Sequence, residues 1–204
     1  MSPFDTPASP PLDRLEFAVV DLETTGLTPD EHHILQIGVV VSDANGREIY
    51  SWSTFVKPPG WPFARLGPRN VHGISNAQLW RAPRLGPALR HLAELLDGRV
   101  FTAHNVDFDL TFLDHDSQSL GVPLPDVPVV CTLSLSRSLD PSFSRSHRLG
   151  DLCDRYGITL ERAHDALEDA RATSRLLPHL IGEAGVSSST ELFERSAPRS
   201  RRRR

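Results

Sequence analysis

The chain has 204 residues, of which 39% are hydrophobic and 24% charged, so it falls in the range of one folded domain and outside the disordered and membrane-embedded classes. Its longest nearly apolar stretch, 34–41, is far short of the roughly 20 residues a bilayer span needs, and its first fifteen residues lack the basic start and apolar run of a secretory signal, so a cytoplasmic protein is expected. The formal charge of −4 hides an asymmetry: Arg195, Arg199 and Arg201 to Arg204 crowd the C-terminus, and without them the body carries about ten net negative charges and could act on nucleic acid only with bound cations offsetting phosphate repulsion.

Pro3, Pro7, Pro10 and Pro11 mark a disordered lead over residues 1–14. A folded domain is expected over 15–183 and a flexible, Arg-rich tail over 184–204. Phe17, Val19 and the run to Leu22 read as a buried strand, and Ile34 to Val41 as a second. Asn45-Gly46 is a hairpin signal, so a third strand from about Arg47 to Val56 runs antiparallel to the second. The Pro/Gly-rich segment 58–75 has no clear periodicity and is expected to be a functional surface loop. Leu85, Leu89, Leu92, Leu95 and Leu96 recur at helical spacing up to Gly98, and Arg99 to Ala103 reads as a fourth strand. Asn105 is placed to cap a helix reaching about Ser119, stopped by Gly121, and Val127 to Cys131 reads as a fifth strand. Helices are expected from Leu149 to Tyr156 and from Ala166 onward, the latter interrupted or kinked at Pro178. Cys131 and Cys153 stand in no metal or redox spacing and are expected to be buried thiols. This order implies an α/β fold with a mixed five-stranded sheet, a three-strand antiparallel meander plus two parallel strands, flanked by helices.

Three acidic clusters carry the chemistry. Asp21 and Glu23 lie two residues apart at the end of the first strand and project from one face, where they repel unless a cation sits between them. In 104–109 Asp107 and Asp109 differ by roughly 200° around a helix. Asp109 shares the packing side with Val106, Phe112 and Leu113, a costly position for an unpaired carboxylate. In 164–169 Asp165 and Glu168 fit a capping box, which sets His164 and Asp169 at the two positions that approach each other in a staple. An imidazole beside a carboxylate there can serve as general base. Oxygen-rich ligation of this kind selects Mg2+ or Mn2+, and two such ions perform phosphodiester hydrolysis.

Asp21-Leu22-Glu23-Thr24-Thr25-Gly26, the HNxxFD pattern at 104–109 and the HxAxxDA pattern at 164–170 resemble the three motifs of the DEDDh 3′-to-5′ exonucleases. Within that family the chain is most similar to the exonuclease domain of the epsilon subunit of bacterial DNA polymerase III, with further agreement at 71–74 and 148–152. The resemblance implies a ribonuclease H-like fold, two Mg2+ or Mn2+ ions and release of 5′-mononucleotides from single-stranded DNA 3′ ends, in proofreading or repair. It implies metal ligation by Asp21, Glu23, Asp109 and Asp169, and His164 as general base. Thr24, Thr25, Gly26 and Leu27 would line the terminal-nucleotide pocket, while His72 and Asn105 would contact sugar or phosphate; His72 reads equally as a loop-packing residue. Phe108 reads as core. A DNA polymerase or sliding clamp is the implied partner, and Thr190 to Phe193 is similar to the end of a clamp-binding peptide without its glutamine. An RNA-trimming exonuclease or oligoribonuclease would use the same five residues. A non-catalytic docking module and a nucleotidase acting on small substrates stand as the other readings.

Overall fold

The computed structural model describes residues 10–198. Five strands, β1 (Glu16–Thr24), β2 (Ile34–Asp43), β3 (Glu48–Phe55), β4 (Val100–Ala103) and β5 (Val129–Cys131), form one sheet in the order β3-β2-β1-β4-β5. β1 to β3 are antiparallel neighbours, whereas β4 and β5 run parallel to β1. This is the mixed sheet the sequence implies. The hairpin turns at Gly46, with φ +75°, and Asp43 Oδ1 accepts from the amides of Asn45 at 2.9 Å and Arg47 at 3.0 Å.

Period-two alternation divides β1 between two cores. Ala18, Val20 and Leu22 pack against α3 (Leu85–Leu96) and α4 (Val106–Leu120) on one face. Phe17 and Val19 pack on the other against α5 (Thr132–Ser138), α6 (Leu149–Tyr156), α7 (Ala166–Ala184) and α8 (Ser189–Ser196). Asp21 and Glu23 continue the second series, so they emerge on the side of α7 where the strand ends. β4 leads through His104 and Asn105 into α4 at that same end of the sheet, the carboxyl end of the parallel strands, where ligands of open α/β sheets bind.

Two features let α7 dock. Gly38 is the cross-strand partner of Asp21, and a Cβ built there would lie 2.3 Å from the carbonyl group of Ala166. Arg171 then ties α7 to β3 through Glu48 at 3.1 Å and is held from its own helix by Glu168 at 2.7 Å. That second contact corrects the capping-box expectation. Asp165 caps α7 through the amides of Leu167 and Glu168, but the Glu168 side chain turns to Arg171.

Other expectations change as well. Segment 58–75 is not without helix: α1 (Arg69–His72) sits inside it, and α2 (Asn76–Leu79) follows on a Ser75–Gln78 capping box. Its inner residues Leu66 and Ile74 form a small core with Leu79 of α2 and Leu35, which the Pro/Gly content conceals. α5 was not expected, because seven residues are too few to show a period. α7 runs unbroken through Pro178. The flexible tail expected from residue 184 is instead ordered through 198: α8 is capped by Ser188, and Leu192 is fully buried with Phe193 packed beside it. Thr190 to Phe193 is therefore helix with its Leu anchored in the core, not an extended peptide free to bind a clamp. The expected disorder of residues 1–9 and the Arg cluster at 199–204 lie outside the described residues, whereas Leu12–Arg14 of the expected lead forms a 3-10 turn. Among the described residues no helix is long and apolar enough to cross a membrane.

Gly38→Ala pushes the new methyl into the α7 backbone and is expected to lower stability by about 1–3 kcal/mol, read as a reduced urea midpoint at constant slope. An unchanged midpoint would mean that α7 yields without cost.

Candidate active site

A cleft of about 300 Å3 opens at the end of β1. Asp21, Glu23, Asp109, His164 and Asp169 all line it, so residues from three distant segments meet. β1 contributes Asp21 and Glu23, the first turn of α4 contributes Asp109, and α7 with its preceding turn contributes Asp169 and His164. Asp107 has a helical partner face away from the packing side, as the 200° separation requires, and only Asp109 is buried, at 4% exposure.

The carboxylates hold one another in an unfavourable state. Burial pushes Asp21 well above the usual carboxylate range, and the charges of Asp109, Asp169 and Glu23 add to it. Glu23 is pushed up to about 7 by burial and then by Asp169 and Asp165. Asp109 is pushed up to about 8 by burial, although hydrogen bonds from its own amide and that of Leu22 pull it down. Burial also raises Asp169, against the His164 amide that donates to Asp169 Oδ2 at 3.1 Å. The other oxygen, Asp169 Oδ1, is buried with no hydrogen-bond partner. An orphaned buried carboxylate oxygen is costly unless a cation faces it.

Glu23, His164 and Asp169 each offer a ligand atom, and these atoms lie within 4.8 Å of one another. The orphaned oxygen, the mutual repulsion and the preponderance of oxygen donors fit a hard divalent cation. His164 has φ +65°, a left-handed conformation rare for a residue with a side chain, and its exposed ring stands at the cleft wall.

The remaining predicted residues divide. Thr24, Gly26 and Leu27 line the cleft, and Leu27 is 80% exposed, an apolar side chain left without a partner surface. Thr25 does not line it. Its amide donates to the His33 carbonyl at 2.9 Å and its hydroxyl accepts from the His33 amide at 3.0 Å, closing the 25–33 loop. Gly26 gives close approach to the ring of His32, which a Cβ would meet at 2.4 Å. His72 lines the cleft, but Nε2 donates to the Leu66 carbonyl at 2.8 Å and Nδ1 accepts from the Ile74 amide at 3.0 Å. Both ring nitrogens serve its own loop, which favours the loop-packing alternative. Asn105 occupies the N-cap position of α4 without capping it, and its exposed amide group lines the cleft. Phe108 is at the wall, tilted against Phe112 at 5.1 Å, and is not fully core.

Sequence reasoning missed Gly38 and the fixing role of His104. A glycine inside the otherwise apolar β2 was the available signal for close backbone approach. His104, pushed down to about 4 by burial, is neutral; Nε2 donates to the His147 carbonyl at 3.0 Å and Nδ1 pairs with the Thr132 hydroxyl at 3.0 Å. It fastens the β4–α4 turn to the segment ahead of α6.

An exonuclease family model, RNase_T, matches residues 18–177. The chain belongs to this exonuclease family. Over 161 residues it is 34% identical to the PolC-type DNA polymerase III of Streptococcus suis, an alignment that takes in 79% of the chain and 11% of that much longer protein. In fold it is similar to exonuclease X in complex with 5′-overhanging duplex DNA, with a TM-score of 0.68 and 21% identity over 90% of this chain and 99% of that one. The nuclease domain of 3′hExo, a DEDDh family member bound to rAMP, gives 0.67 and 16% over 82% of this chain and 92% of that one. The exonuclease resemblance and the ribonuclease H-like fold expected from the sequence both hold.

For this exonuclease domain without metal, the raised carboxyls make stability fall as pH rises. An acid whose folded pKa exceeds its unfolded one binds more protons when folded, so stability is full below about pH 4 and declines through about pH 7–8. In EDTA the melting temperature is expected to drop by about 5 °C between roughly pH 5.5 and 8.5, with Mn2+ restoring it and Asp109→Asn reducing the drop. Scanning fluorimetry across pH checks this, and a flat profile unaffected by Mn2+ would contradict it.

Proposed function

We propose that the chain removes nucleotides from the 3′ end of single-stranded DNA by phosphodiester hydrolysis, releasing 5′-mononucleotides, in proofreading or repair. The observation that carries the reading is the convergence of four acids from three segments on one cleft, three of them buried and Asp21 half-buried, with Asp169 Oδ1 unpartnered and His164 beside it. In this reading Asp21, Glu23, Asp109 and Asp169 hold two Mg2+ or Mn2+ ions. When bound, such ions supply a nucleophilic water at neutral pH and neutralise charge at the leaving oxygen.

The rest falls to the chain's own side chains. His164 stands on a turn rather than a helix, and its ring takes the proton of the attacking water. Its backbone amide, bonded to Asp169, couples the position of that ring to the acid cluster. Leu27, exposed at the cleft, packs against the terminal base, and the Gly26–Leu27 backbone faces the 3′ oxygen. Asn105 contacts the sugar or phosphate. Thr25 and His72 hold the two walls, and Gly67, whose Cβ would lie 2.0 Å from the Thr25 carbonyl, lets those walls close on each other. DNA is favoured as the polymer because the similar S. suis protein is a DNA polymerase III and exonuclease X was captured on DNA. A DNA polymerase is the proposed partner.

Purified protein in Mg2+ is expected to shorten 5′-labelled single-stranded DNA stepwise from the 3′ end, faster than it shortens RNA. His164→Ala is expected to lose about 10²–10⁴-fold in kcat while titrating with Mn2+ as the parent does. Cleavage by that variant at the parent's rate would remove His164 as the base. Faster cleavage of RNA would reassign the polymer, and binding without turnover would leave a docking module.

A further inference from the structure

A second cavity, of about 570 Å3, adjoins the acidic cleft and shares His104, Asn105 and Leu149 with it. Its character is opposite. Arg137, on α5, and Arg145 and Arg148, on the 140–148 segment, all line it, and among the described residues none of the three is in an ion pair. Three unpaired guanidiniums together are conspicuous in a body with about ten net negative charges. Of the acids beside it, Asp151 accepts from the Ser146 hydroxyl, and Asp140 is enclosed by the segment itself.

The segment is built rather than loose. Asp140, 4% exposed, accepts from the Ser142 and Ser144 hydroxyls at 3.0 Å each and from the Arg145 amide at 2.9 Å. Buried His147 pairs with the Ser136 hydroxyl at 2.8 Å, and its carbonyl receives His104. The wall with the arginines is thus fastened to the β4–α4 turn that supplies Asn105 and Asp109. At its rim Phe143 is 60% exposed and set edge-on to His147.

We propose that this cavity is the track for the substrate strand: it holds the nucleotides on the 5′ side of the terminal two. Arg145, Arg148 and Arg137 bind their phosphates, and Phe143 stacks on a base. Single-strand grooves combine these two elements, cationic side chains along the backbone and aromatic faces for the bases. The proposal rests on the exonuclease reading and adds a length requirement to it: a dinucleotide fills only the acidic cleft, whereas a longer strand also engages the arginines.

The test compares dT12 with a thymidine dinucleotide in the parent and in the double variant Arg145→Ala, Arg148→Ala. Both side chains are exposed, so the variant is expected to fold. The ratio of kcat/KM for dT12 to that for the dinucleotide is expected to fall at least about tenfold, and the slope of log KM against log salt by about 1.4, two phosphate contacts in a single strand. Phe143→Ala is expected to lower the same ratio and Phe143→Trp to keep it. A ratio and a salt slope equal to the parent's would overturn the proposal. Should the parent shorten no oligonucleotide, the exonuclease reading fails by itself. Anisotropy of labelled dT12 then still reads the groove: weaker binding by the double variant supports it and equal binding overturns it.

Discussion

α7 reaches the sheet because Gly38 carries no side chain. The first turn of the helix lies directly over that residue, and the cross-strand neighbour of Gly38 is Asp21. Any Cβ at this position would hold the helix off by the thickness of a methyl group and would carry Asp169 away from Asp21 and Glu23 together. Packed interiors do not absorb such a shift locally, so it would be passed to the acids. Asp165 at the helix cap and Arg171 on Glu48 then set the rotation and tilt of the docked helix.

The resulting arrangement is electrostatically expensive when no cation is bound. Burial and neighbouring charges act in the same direction on Asp21 and Glu23, and the few hydrogen bonds to Asp109 and Asp169 only partly offset them. Such a cluster persists because the surrounding fold over-determines it: the two apolar cores on either side of β1 fix the strand, and α4 and α7 are each packed into one of them. Stability held in the cores is set against strain at the site, the relation expected of a functional centre.

The molecule also separates its charges by region. Acids gather where the cleft ends β1, while three arginines gather in the adjoining cavity, and the hydrogen-bonded His104–His147 link joins the two walls. A polyanionic strand would be repelled by the first region without cations and attracted by the second, and the proposed reading accordingly gives affinity and chemistry to different side chains. His72 and Thr25 illustrate a similar division in the two loops they hold. Their polar atoms are consumed in holding loops, whereas Leu27 stays exposed at the cleft.

The strands, the main helices and the three acidic motifs were legible from local pattern, because alternation, capping residues and hairpin glycine are short-range signals. Asp109 was separable from Asp107 for the same reason, since helix geometry alone puts them on different sides. What the chain order could not show was the use of each polar group. Whether Thr25, His72 or Asn105 faces a ligand depends on which backbone groups come near it, and the partners at His33, Leu66 and Ile74 are set by how loops fold. Likewise α8 had the composition of a tail, and only contact with α5 and β5 gives Leu192 a place to be buried. Sequence determined which residues could do chemistry; the tertiary structure decided which of them keep a free atom, because hydrogen bonds and burial are satisfied between segments far apart in the chain.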